Sequence, residues 1–306
     1  MNASPQSELP SSSGVTSTEA SSNARHGTHQ QFSRAGRFLD DFGEASIRVF
    51  RAMTDTLAIL AATVQLALRP STWTAPVRSV MVRQLLFTGS DAMMVTLRIT
   101  GAVGIMVIVQ AALWVDALGL DRELIEPLLW RGIVRELSPL LACLVVVGRS
   151  GAAVATELAS MTIGGEIEVL DSQGLDPMTY LIMPRILAFV VSVFGLALIA
   201  ATSMLVTGFV VGHFMGVIRT PWSDFLGGAI RQFTTVDLLF FIPKTTIAGA
   251  FAGVICCRDG MSVRDSITDV PLVSSRSIIR AMTAVFAVSA VSSVLIYGRL
   301  LVFKVL

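Results

Sequence analysis

Between Val134 and Arg185 the chain sets charged residues into an apolar background, and their types and order define the chemistry they offer. Arg135 and Glu136 stand side by side, a Gly148-Arg149-Ser150-Gly151 string follows, and five carboxylates (Glu157, Glu166, Glu168, Asp171, Asp176) precede Pro184-Arg185. The arginine guanidinium is a planar fork of N–H donors that suits phosphate or carboxylate oxygens. An adjacent Glu holds such a fork in position or marks a gate. Ionisable groups in apolar segments are costly and are therefore read first as functional, with a self-neutralising structural pair as the alternative. Ser150 and His213 also have the residue types of a nucleophile and its base.

The elements that must position these residues are membrane helices. Of 306 residues 53% are hydrophobic and only 15% charged, with a net charge of +1; mean hydropathy is +0.70. Soluble domains carry about a quarter charged residues. The stretches 186–218 and 281–298 contain no Asp, Glu, Lys or Arg, and a helical span needs about 20 residues. The composition implies an all-α polytopic membrane protein with five spans, near 92–115, 132–156, 186–214, 236–257 and 278–303. The near-neutral charge argues against nucleic acid as a principal partner. Cys143, Cys256 and Cys257 lie in or beside apolar runs and read as reduced packing residues, with neither disulfide nor metal spacing. His26, His29 and His213 form no ligand cluster, so no metal or cofactor is expected.

Three regions are distinguished along the chain. Residues 1–33 are rich in Ser, Thr, Asn and Gln and have no apolar run, which reads as a disordered cytoplasmic tail. Residues 34–90 hold interfacial and elbow helices. Ile47, Phe50, Met53, Leu57, Leu60 and Val64 share one face of a helix suited to a membrane surface. Pro70 and Pro76 break it before a second amphipathic piece over 77–87. Residues 91–306 carry the spans. Eight Arg precede Ala92 and four more lie between spans four and five, while the loop between spans one and two is acidic. The positive-inside rule then places the N-terminus in the cytoplasm. Within 157–185, Ile163, Ile167, Leu170 and Gly174 follow helical spacing. This predicts a short amphipathic cytoplasmic helix closed by Gly174, with Asp176-Pro177 restarting the chain.

Several landmarks occur in order: Arg83-Gln84-Leu85 with Gly89, Gly101, Gln110, Arg135-Glu136-Leu137 with Pro139, Gly148-Arg149-x-Gly151, Thr156-Glu157, Met161, Gly174-x-Asp176-Pro177 and Pro184-Arg185. Through them the chain from about Arg83 to Gly298 resembles the MlaE permease family, the membrane subunits of lipid-moving ABC transporters that work with MCE-domain proteins. It departs from the family pattern at Ser138 (usually Gly), at Gly165-Glu166 (commonly Glu-Gln), in the loop after Cys257, and in lacking the common Asp-Phe of span five.

The resemblance implies a bacterial inner-membrane permease that pairs with a second copy or a paralogue around a phospholipid cavity open to the periplasm. A separate P-loop ATPase would drive it, because the chain lacks a G-x-x-x-x-G-K-[ST] sequence. Arg135 and Glu136 would stand at the cavity mouth, with Arg98 and Gln110 as further cavity residues. Arg98 is open to a snorkelling role and Gln110 to interhelical packing. Glu157, Glu166, Glu168, Asp171 and Asp176 would serve ATPase coupling, with Arg149 and Glu157 tying span two to the docking helix. Pro139, Gly148, Arg149, Gly151, Gly174 and Pro177 would form structural hinges. Gly249/Gly253 and Ser289/Ser293 read as close helix contacts.

Two readings from other classes compete with this non-enzymatic one. A rhomboid-like intramembrane protease would use Ser150 and His213, but the topology sets them at opposite ends of their spans, roughly 30 Å apart by helical rise. Proton transfer needs about 3 Å. An ion-coupled transporter would call for an inverted repeat and a mid-membrane carboxylate, and neither is evident in the sequence.

Overall fold

The computed structural model describes residue 47 and residues 50–119, 130–216, 221–232, 234–263 and 269–305. The chain divides into two units, Met1–Asp55 and Thr56–Leu306. In the first, residues 47 and 50–55 are helical, with Ile47, Phe50 and Met53 exposed. The tail expected over 1–33, the acidic loop around Asp121 to Glu126 and the centre of the divergent loop at 264–268 lie outside the described residues.

The second unit opens with helix α1 over 56–68. Leu60 packs inward with Ile59, while Leu57 and Val64 stay exposed and Thr56 and Thr63 are buried. Thr63 hides its hydroxyl by donating to the Ile59 carbonyl at 2.8 Å. Pro70 ends the helix in a 3₁₀ turn, Pro70–Thr72, and the Trp73 indole N–H closes the corner on the Ala67 carbonyl at 2.9 Å.

Pro76 lies in the first turn of α2 (Ala75–Leu85), where a missing N–H costs nothing. From there α2 passes through a π-helical turn, Leu86–Ser90, into α3 (Asp91–Leu118). The amphipathic piece and span one are thus one helix, and the change of pattern near Phe87 is a change in surroundings. No proline interrupts 77–118 to end it.

Among the described residues, five helical stretches are long and apolar enough to cross a membrane: Ala75–Trp114, Gly132–Ile163, Met178–Phe214, Asp237–Met261 and Val270–Leu295. Span two comprises a π turn (Gly132–Leu137), α4 (Ser138–Val146), a second π turn (Val147–Gly151) and α5 (Ala152–Ile163). The short α6 (Glu166–Ser172) follows, and another π turn, Met178–Ile182, opens span three, α7 (Met183–Phe214). Next come α8 (Trp222–Gln232), α9 (Thr235–Met261) and α10 (Val270–Val305). No strand occurs among the described residues.

Span three is central, packing against α2, α3, α4 and α9. Helices in lipid gain little from hydrophobic exclusion and associate through close packing of small residues. Accordingly, a Cβ on Gly208 would lie 2.6 Å from the Gly104 carbonyl. On the other side, Cβ atoms on Gly249 and Gly253 would sit 3.2 Å from Phe189, so this pair makes the close contact that its spacing predicts.

A side chain at the α3–α7 crossing must force the helices apart, since a Cβ on Gly104 would stand 2.3 Å from the Met204 carbonyl. Gly104→Ala should therefore cost about 1–3 kcal/mol as an overpacking change. Gly195→Ala, which meets open space, should be neutral or slightly stabilising. Thermal unfolding of the two purified variants in detergent checks this, and equal midpoints would contradict the close crossing.

Candidate functional site

The site grows from the start of span two. Pro139 has no N–H, and its ring crowds the carbonyl four residues back, that of Arg135. The π turn Gly132–Leu137 directly before α4 takes up this conflict. It carries Arg135 and Glu136 into two separate ion pairs with span four.

Arg135 Nε donates to Asp237 Oδ1, and both side chains are buried. The other oxygen of Asp237 accepts the Thr234 backbone N–H at 2.9 Å, completing a capping box at the start of α9. Lys244 Nζ donates to Glu136 Oε2 at 2.6 Å, and Ser293 Oγ of α10 donates to the same oxygen at 2.7 Å. Lys244 is 4% exposed against 29% for Glu136, so the Glu136 side chain is the more accessible side of the pair. Glu136 Oε1 is buried without a hydrogen-bond partner.

The expectation that Glu136 positions Arg135 is thereby corrected. Each of these neighbours has its own counter-charge on α9, because adjacent helical residues point in different directions. Ser293 is likewise more than a packing residue.

At the other end of span two, neither Arg149 nor Glu157 pairs with α6, contrary to expectation. Arg149 Nη2 donates to Asp91 Oδ2 at 3.1 Å and Nη1 to the Phe87 carbonyl at 3.3 Å. Its guanidinium carbon stands 5.6 Å from the centroid of the Phe87 ring. Glu157 Oε1 accepts from Arg185 Nη2 at 2.8 Å, joining α5 to α7. The tie thus runs to spans one and three, since α6 turns away after Gly164-Gly165, where Gly165 adopts φ 71°.

Helix α6 presents Glu166, Glu168 and Asp171 on exposed positions, with Val169 beside them 54% exposed. Gly174, at φ 75°, ends the helix in a Schellman motif: Leu175 N–H reaches the Leu170 carbonyl at 3.1 Å and Gly174 N–H the Asp171 carbonyl at 2.9 Å. Asp176 is occupied within the chain. Its carboxylate accepts Met178 N–H at 3.1 Å and Thr179 O–H at 2.7 Å, capping the turn that Pro177 begins.

Arg98 and Gln110 are exposed on α3 and are not drawn into the ion-pair cluster. Ser150 is fully buried and its Oγ has no hydrogen-bond partner. His213 is exposed near the far end of α7, stacked on Phe209 with centroids 5.7 Å apart. The structure does not bring the two together. No cluster of His, Cys, Asp or Glu suited to a metal appears among the described residues.

Asp237, Asp91 and the roles of Lys244 and Ser293 escaped the sequence reading. Two signals were available: the Thr234-x-x-Asp237 spacing of a capping box, and a lone Lys in an apolar span, which requires a counter-ion. Nothing local marks Asp91 as the partner of Arg149.

Residues 81–295 match the family described as Permease MlaE. A probable ABC transporter permease protein of Rickettsia prowazekii (strain Madrid E) is 27% identical over 184 residues, covering 60% of this chain and 69% of the relative. One from Synechocystis sp. is 25% identical over 211 residues, covering 67% and 77%. A chloroplastic protein of Arabidopsis thaliana named trigalactosyldiacylglycerol 1 is 29% identical over 217 residues, covering 69% and 60%.

Breaking one partner of a buried pair leaves a stranded charge, at about 3–5 kcal/mol, whereas removing both is far less costly. Lys244→Met should therefore destabilise sharply, and adding Glu136→Gln should recover most of the loss. Unfolding midpoints of the single and double variants check this. Additive losses would show that the pair is not coupled.

Proposed function

We propose, from the premise that this chain belongs to the MlaE permease family, that it is the membrane half of an ATP-driven phospholipid transporter. It is a multi-pass permease subunit of an ABC transporter, and such permeases work with an ATPase partner. The reading extends this to phospholipid as substrate, carried in a cavity between two permease copies or a copy and a paralogue. The cavity opens to the periplasm of a bacterial inner membrane, with the N-terminus cytoplasmic and an MCE-domain protein on the outer side. A plant relative that bears the name of a galactolipid is consistent with a lipid cargo.

The observation that carries the reading is the buried Lys244 charge held by a partly exposed Glu136 and by Ser293 inside an apolar bundle. A headgroup phosphate is an anion that can replace Glu136 at Lys244. A headgroup ammonium can in turn take Glu136. The clasp is neutral when closed, which an apolar setting demands, and exchanges one counter-ion for another when lipid arrives. Arg135, held by Asp237, keeps span two against span four meanwhile. Arg98 and Gln110, exposed on α3, line the lipid-facing side of the same path.

At the other end of span two, Glu166, Glu168 and Asp171 offer an acidic, exposed face around Val169 to the ATPase. Asp176 shapes this region by capping the following helix, and Glu157 anchors its base through Arg185. ATP-driven closure of two ATPase subunits would draw the two α6 helices together and change the shape of the cavity, as two-state assemblies do.

Native mass spectrometry of the purified complex should find a P-loop ATPase, two permease chains and bound phospholipid. A lone monomer without ATPase or lipid would sink the reading. The double variant Glu166→Lys/Glu168→Lys should weaken ATPase binding by roughly tenfold or more, through loss of complementary charge, while the permease pair stays assembled. Unchanged ATPase recovery would remove α6 from the docking role.

A further inference from the structure

We propose that the π turn Val147–Gly151 is a joint at which the α5 half of span two swings relative to α4, and that Arg149 is the latch that fastens this joint to span one. The inference rests on the transporter reading and names how its two ends communicate.

The turn is a meeting point of four spans. Arg149 reaches the facing π turn Leu86–Ser90, donating to the Phe87 carbonyl and lying over its ring, and pairs with Asp91 at the head of α3. A Cβ on Gly151 would stand 2.9 Å from Cys256 Sγ of span four. A Cβ on Gly148 would sit 3.7 Å from Met282 Cε of span five. Immediately after the turn, Ser274 of α10 donates to the Ala152 carbonyl at 3.3 Å. Two π turns from different spans are therefore cross-linked by one guanidinium.

A π turn is a local under-winding that often marks a functional site, and helices kink there. Gly148 and Gly151 weaken the helical state of this particular turn, so its geometry has alternatives. The Ser150 hydroxyl is buried without a partner, an uncompensated cost that a shift in the turn would relieve. By contrast, α4 is regular and densely packed, with Ala142, Cys143 and Val146 fully buried. Motion of α6 thus reaches α4 through the turn, and whether it does so depends on the latch.

The latch is suited to opening. Arg149 is 34% and Asp91 51% exposed, and partly exposed ion pairs contribute little to stability. Variants at these positions should fold, and their effect should fall on coupling. Arg149→Lys keeps the charge but loses the planar fork and the ring contact. Asp91→Asn keeps the size but loses the ion pair.

The test uses the full complex in phospholipid vesicles, reading ATP hydrolysis, transfer of a fluorescent phospholipid, and amide hydrogen exchange with and without ATP. In the wild type, exchange over 147–151 and 86–90 should change with ATP while 142–146 stays flat. In Asp91→Asn and Arg149→Lys that change should shrink. Lipid moved per ATP should fall roughly 2- to 30-fold, the range of coupling energies carried by such networks. Nucleotide-independent exchange at both turns, or unchanged lipid per ATP in both variants, would overturn the latch. A wild-type complex that hydrolyses ATP without moving lipid would sink the transport reading alone, because the exchange measurement still decides the joint.

Discussion

An ionised side chain inside an apolar bundle must meet an opposite charge, since the penalty for stranding it is several kcal/mol even after relaxation. Arg135 and Glu136 are adjacent on a helical turn and therefore point in different directions. Each finds its own partner on α9, Asp237 and Lys244 respectively. Two pairs from adjacent residues fix span two against span four in height and in rotation together, because a one-residue slip would strand both. Ser293 extends the constraint to span five through the same carboxylate oxygen.

This constraint gives span two its division of labour. Its first half is held by charge, and its regularity is interrupted where Pro139 makes a π turn necessary. Its second half is held by shape, through glycines that admit neighbouring spans, and by Arg149 and Glu157, which reach spans one and three. The transport function proposed above requires the two ends of the subunit to communicate. One helix with a firmly held end, a weak turn and a second anchored segment is a direct physical route between them.

Much of the architecture was legible in the residues. Apolar runs longer than 20 residues can only span or be buried, so the five spans follow from composition and length. The end of α6 at Gly174 and the new start at Asp176-Pro177 were readable because capping is a matter of a few neighbouring residues. Where the reading failed, tertiary contacts outweighed local pattern. The piece over 77–87, which Pro76 opens and no proline closes, runs on into span one, and α2 packs on α7.

By itself the sequence determined which segments enter the membrane, where charges sit along them, and which short-range caps and breaks shape the ends. Those properties depend on solvation and on neighbours within one or two helical turns. Only the tertiary structure decided who meets whom: Arg135 with Asp237, 102 residues away, Glu136 with Lys244, and Arg149 with a carbonyl and a carboxylate of span one. Coulomb attraction is blind to sequence distance and acts between whichever groups helix packing brings within a few ångströms. That packing is set by the close crossings at Gly104/Gly208 and Gly249/Gly253. Partner choice is consequently a property of the assembled bundle, even though every charge in it could be counted along the chain.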